Sequence, residues 1–160
     1  INKYFDKMIK ILKLISVVSF IFITSCGYQP IFVSKNFNFQ IDKISTAGDE
    51  KINRIILRTL ENLKKQNNAD KKYSLEINTS YNKIISSKDT KGNPKTFRIE
   101  ITSKVLINKN NKLKLTKNFI AKANYNNTSS KFKLKKYEEN LKNNLTSKIT
   151  EDIIIYLQGI

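Results

Sequence analysis

Apolar and polar side chains alternate along most of this chain, and a helical spacing takes over where the alternation stops. Phe37, Phe39 and Ile41 interleave with Asn38, Gln40 and Asp42, the period of a half-buried strand. Asp49 and Glu50 then place carboxylates at the start of a helix predicted to run to about Gln66. Ile52, Ile56, Leu60 and Leu63 make one stripe of it, while Lys51, Arg54, Arg58, Glu61 and Lys65 take the other side, so the stripe covers a core. Asn67-Asn68 is read as its end. Three strands follow, on Tyr73, Leu75, Ile77, Thr79 and Tyr81, on Phe97, Ile99, Ile101, Val105 and Ile107, and on Leu113, Leu115, Phe119, Ala121, Ala123 and Tyr125. The residues between these are nearly all polar, which predicts antiparallel sheet with one face on a core and the other wet.

Lys109-Asn110-Asn111 reads as a tight hairpin turn, and Ser86 to Lys95, with Gly92-Asn93-Pro94, as a longer loop. Strands of about 12 residues, at ~3.3 Å each, reach roughly 40 Å, so an elongated domain is expected. After Asn126 to Ser130 a second helix is predicted to about Gln158, with Leu134, Tyr137, Leu141, Leu145, Ile149, Ile153 and Tyr156 on one stripe and Gly159 as a plausible stop. Some 25 residues at ~1.5 Å give ~37 Å, enough to lie along the sheet. The fold class expected is α+β: a four-stranded, largely antiparallel sheet with two helices on one face, in the order β-α-β-β-β-α.

Ahead of this pattern lies a different one. From Met8 the chain has a short basic start (Lys10, Lys13), about ten apolar residues from Leu14 to Ile23, and then Ile23-Thr24-Ser25-Cys26. The run falls short of the ~20 residues a membrane-spanning helix needs and suits the apolar segment of an export signal. A branched apolar residue, two small residues and a Cys match the recognition sequence of bacterial lipoprotein processing. Cleavage before Cys26 would leave that thiol as the first residue, carrying a covalent diacylglycerol and an N-acyl chain. Residues 1–25 are therefore read as a signal peptide with its true start at Met8, and residues 26–160 as one mature domain anchored to a membrane through its lipid.

Charge and composition narrow the chemistry. The chain has 30 Lys+Arg against 13 Asp+Glu, a net charge of +17, and its mature part keeps about +14. With no His, a single Cys and four isolated Gly, it offers no metal site of the His/Cys kind, no Ser–His or Cys–His pair and no Gly-rich phosphate loop. No catalytic residue, metal or non-covalent cofactor is expected, and an enzyme is not. The positive balance has two readings: binding of phosphate groups on lipid head groups or lipopolysaccharide, or a solvated surface in a chain equally rich in Lys, Asn and Ile. Export argues against nucleic acid as a partner.

Cys26-Gly27-Tyr28-Gln29-Pro30-Ile31-Phe32, directly after the signal, resembles the mature start of the lipopolysaccharide-assembly lipoprotein family LptE, in particular its alphaproteobacterial members. The β-α-β-β-β-α order and the passage from Tyr125-Asn126 through Phe132 into a striped last helix are similar to the same family. The resemblance implies a periplasm-facing lipoprotein of the cell outer membrane. It would sit inside the barrel of its partner LptD, assist that barrel's assembly, plug it, and engage lipopolysaccharide on its way to the outer leaflet. Gly27 is compatible with outer-membrane sorting, and the wet sheet face suits a polar barrel lumen. As candidate lipopolysaccharide contacts we nominate by location Lys83, Lys88, Lys91, Lys95 and Arg98, which flank or occupy the Ser86 to Lys95 loop. The alternative is an auxiliary lipoprotein of another envelope lipid or solute transport system.

Overall fold

A computed structural model describes residues 37–65, 69, 71–109 and 113–160. The export segment, Cys26, the Gly27 to Phe32 stretch, Asn67-Asn68 and the Asn110-Asn111 turn lie outside the described residues. The elements are β1 (Phe39–Gly48), α1 (Glu50–Leu60), a 3-10 turn (Glu61–Lys65), β2 (Lys71–Lys88), β3 (Pro94–Lys109), β4 (Leu113–Asn126) and α2 (Lys131–Gly159). The sheet order is β1-β2-β3-β4. β1 runs parallel to β2, because α1 carries the chain back across the sheet, and the other two pairings are antiparallel.

Strand parity decides what is buried. Tyr73, Leu75, Ile77 and Thr79 of β2, Ile99, Ile101, Ser103, Val105 and Ile107 of β3, and Phe119, Ala121 and Tyr125 of β4 all leave the sheet on one side and are buried. β1 joins them through Phe39 and Ile41, then a bulge between Ile41 and Lys43 shifts its register. Both helices cover this face. α1 contributes Ile52, Ile56 and Leu60, and Leu63 of the 3-10 turn completes the expected stripe. α2 contributes Leu134, Leu145, Thr146, Ile149, Thr150, Ile153, Ile154 and Leu157.

The corner between β1 and α1 is built around one glycine. Gly48 has φ +95°, and the Asp49 N–H that follows donates to the Thr79 carbonyl at 3.1 Å. The Asp49 side chain accepts from the Ile52 N–H at 2.9 Å and so caps α1. Beneath the corner, the Thr79 hydroxyl donates to Asn53 Oδ1 (2.7 Å), and the Asn53 amide donates to the Ala47 carbonyl (3.1 Å). These polar groups are buried yet partnered. At the other end of the sheet the Tyr73 hydroxyl donates to the Leu157 carbonyl of α2 at 3.2 Å.

Three boundaries differ from the sequence reading. α1 stops at Leu60 and tightens into the 3-10 turn, short of the Gln66 expected. β2, β3 and β4 have 18, 16 and 14 residues, so β2 alone spans roughly 60 Å. The long Ser86 to Lys95 loop does not exist as such: β2 continues through Lys88 and β3 resumes at Pro94, leaving Asp89 to Asn93 as the turn. Ser87 pairs with Thr96 and Lys88 with Pro94 across two register shifts, and the Ser87 and Thr96 hydroxyls are 2.7 Å apart. Cross-strand pairing, not burial, extends the ladder there, so no apolar alternation marks it.

Candidate functional site at the hairpin end

The β2–β3 turn is held by Asp89. Its carboxylate accepts from the backbone N–H groups of Lys91 (2.9 Å) and Asn93 (2.8 Å) and from the Asn93 amide (3.2 Å), while its own N–H donates to the Asn93 carbonyl at 2.8 Å. The Asn93 backbone and side-chain bonds foremost hold the Asp89 carboxyl below its ordinary range. Gly92, with φ +83°, completes the turn. Lys88 and Lys91 are presented exposed at this end, and Lys95 lies exposed just inside β3.

The five nominated cations are not brought together. Lys88, Lys91 and Lys95 share the tip. Lys83 lies within β2 on the helix-covered face, where its ammonium pairs with Glu138 of α2 at 2.5 Å and sits 4.5 Å from the centre of the Phe97 ring. Arg98 leaves the opposite face and donates from Nε to Asn124 at 2.9 Å. Lys83 and Arg98 thus make contacts within the domain, away from the turn itself.

The start of α2 adds residues that the sequence reading did not nominate. Asn127 ties the β4–α2 connection to β3, its N–H donating to the Lys95 carbonyl (2.9 Å) and its amide to the Pro94 carbonyl (2.8 Å). A depression of about 350 Å3 results, lined by Asp89, Pro94, Lys95, Asn127, Thr128, Ser129 and Lys131. Lys131 and the exposed Lys133, Lys135 and Lys136 extend the basic surface onto the helix, with Phe132 78% exposed among them. The missed signal was the run Lys131-Phe132-Lys133-Leu134-Lys135-Lys136, which opens a helix without an acid in its first turn.

Behind the tip lies a polar latch. Glu138 accepts from Lys83 and, at 2.7 Å, from the Tyr125 hydroxyl. Burial works against the Glu138 carboxylate, but the Lys83 and Tyr125 bonds outweigh it and its pKa falls. Burial and the same Glu138 contact push the Tyr125 hydroxyl well above its ordinary range. One helical turn on, Lys142 donates to both oxygens of Asp49 (3.0 and 2.8 Å) and lies 4.6 Å from the centre of the Tyr81 ring. Burial again opposes the Asp49 carboxylate, and Lys142 with the Ile52 N–H leads the contacts that lower its pKa.

The architecture is a mixed four-stranded sheet with both helices on one face. No family model and no curated protein sequence matches the chain. Solved structures share its fold. Rare lipoprotein B from Shewanella oneidensis superposes with a TM-score of 0.58 at 14% identity, covering 73% of this chain and 94% of that one. A minor lipoprotein from Acinetobacter baumannii gives 0.54 at 13% identity, covering 74% and 91%. Lipoprotein B from Nitrosomonas europaea gives 0.54 at 10% identity, covering 80% and 88%.

Proposed function

We propose that this chain is a lipid-anchored, periplasm-facing lipoprotein of the outer membrane, an LptE of alphaproteobacterial type that assembles with and plugs the LptD barrel and aids lipopolysaccharide insertion into the outer leaflet. One conjunction carries the reading. A lipoprotein processing sequence ending at Cys26 and followed by Gly27-Tyr28-Gln29-Pro30-Ile31-Phe32 precedes a domain with the fold of rare lipoprotein B, and rare lipoprotein B is LptE. The role is non-enzymatic, and its only prosthetic group is the acyl lipid on Cys26. The basic tip formed by Lys88, Lys91, Lys95 and Lys131 supplies charge-assisted donors for phosphates on the glycolipid.

The test is to tag the C-terminus, express the full chain with the barrel protein of the same organism, extract in mild detergent and identify what copurifies. A one-to-one complex with the barrel is expected. Recovery of lipidated protein alone from membranes that contain the barrel overturns the plug reading. Association with an inner-membrane ATPase complex instead establishes the auxiliary-transporter reading.

A further inference from the structure

The two halves of α2 are attached to the sheet by different means. From Leu145 onward the helix buries seven side chains, among them Ile149, Ile153 and Leu157. From Lys131 to Asn144 it buries only Leu134, while Tyr137, on the expected apolar stripe, is 52% exposed. Besides Leu134, the half-buried Leu141 and the Tyr137–Tyr125 ring contact, this half is held by the Lys83–Glu138 pair with its Tyr125 bond and by the Lys142–Asp49 pair.

Four features of the sequence weaken the same half. Lys131, Lys133, Lys135 and Lys136 crowd the helix N-terminus, where the macrodipole favours anions, and no acidic residue stands in the first turn. Lys131 and Lys135 are four apart and Lys133 and Lys136 three apart, so like charges face each other along the helix. Asn140, Asn143 and Asn144 are poor helix formers. Ser130 caps the helix, but with Lys133 at the third position the reciprocal half of a capping box is missing.

We propose that residues 131–144 form a charge-latched lid that opens ahead of the rest of the domain while residues 145–157 stay packed. The floor uncovered is aromatic: Tyr81, Phe97 and Tyr125, with Ile85 beside them on the same face. Phe97 and Tyr125 are stacked with centroids 5.6 Å apart, and Tyr137 of the lid packs on Tyr125 at 5.9 Å. Opening therefore presents an apolar strip next to the basic tip, at the cost of one core side chain of the helix, Leu134, and of the cover over Tyr125. Because Asp49 both caps α1 and holds Lys142, release of the lid is also felt at the β1–α1 corner. The inference rests on the geometry of the domain and stands whether or not the barrel assignment holds.

Hydrogen exchange of the full chain in detergent, read by mass spectrometry, tests it. Amides of 131–144 are expected to exchange at least about tenfold faster than those of 149–157, the behaviour of a local opening unit. Glu138→Gln should accelerate the first group, and 149–157 by no more than the loss of global stability. Lys133→Glu, which completes the capping box with Ser130, should slow the first group. Equal exchange in both halves overturns the proposal, as does either variant leaving the first group unmoved. Copurification with the barrel reports separately on the proposed function.

Discussion

Gly48 is the position where a single methyl group should do the most damage. A Cβ there would lie 1.8 Å from the Thr79 carbonyl oxygen, 2.8 Å from its carbon and 3.0 Å from its nitrogen, all backbone atoms of the neighbouring strand. The φ of +95° adds about 1–2 kcal/mol for any residue with a side chain. Relieving the contact means moving β1 from β2, which costs the Asp49 N–H bond to Thr79, worth about 1 kcal/mol. It also disturbs the buried Thr79–Asn53–Ala47 chain, where an unpaired polar group costs about 1–3 kcal/mol. Together these give about 3–6 kcal/mol for Gly48→Ala, against a total stability of about 5–15 kcal/mol for a typical domain. In thermal unfolding followed by circular dichroism this is a drop of roughly 10–20 °C. Gly92→Ala is the control: φ is +83° there but nothing lies within 4 Å of the added carbon, so only the conformational cost of about 1–2 kcal/mol applies. If the two variants melt within about 3 °C of each other, the clash does not govern the corner and the reasoning is wrong.

Other expectations follow from the ion pairs and the tip. Glu138 and Asp49 both have lowered pKa values in the folded state, so their contribution to stability is complete above the ordinary values of 4.5 and 3.8 and is lost as pH falls through the folded ones. Denaturant midpoints should therefore drop on acidification in this range, and Glu138→Gln should lower stability by about 1–2 kcal/mol at neutral pH while flattening that slope. An unchanged acid profile in the variant would show that Glu138 is not the titrating latch. At the tip, reversing Lys88, Lys91 and Lys95 to Glu should weaken cosedimentation with vesicles carrying a phosphorylated glycolipid by about tenfold at low salt, with wild-type binding itself falling as salt rises. Lys83→Gln, in contrast, should cost stability and leave vesicle binding unchanged, since that ammonium is already paired.

What the sequence disclosed, and what it hid, follows from how each element is held. Ile52, Ile56, Leu60 and Leu63, and the alternation through Tyr73, Ile99 and Phe119, were legible because burial selected apolar residues at the period of the element. Ser86 to Lys88 read as loop because the pairing that makes them strand leaves both faces exposed. Parity, however, carries further than hydrophobicity. Lys83 and Ile85 continue the odd-numbered series that Tyr73 begins, so Lys83 belonged on the helix face, where a cation gains from a facing anion. Glu138 lies four residues after Leu134 and three before Leu141, the stripe position that could provide it. Lys83 and Glu138 were thus a matched pair of exceptions to two apolar patterns, and such exceptions in neighbouring elements predict each other. The two halves of α2 differ in the same way. Where the stripe is unbroken, from Leu145 to Leu157, α2 holds the fold together; where charges interrupt it, from Lys131 to Lys142, the helix is tied by contacts that salt, acid or a competing anion can loosen. That interrupted half adjoins the basic tip, so the end of the domain best placed to meet a phosphorylated ligand is also the end least bound to its own core.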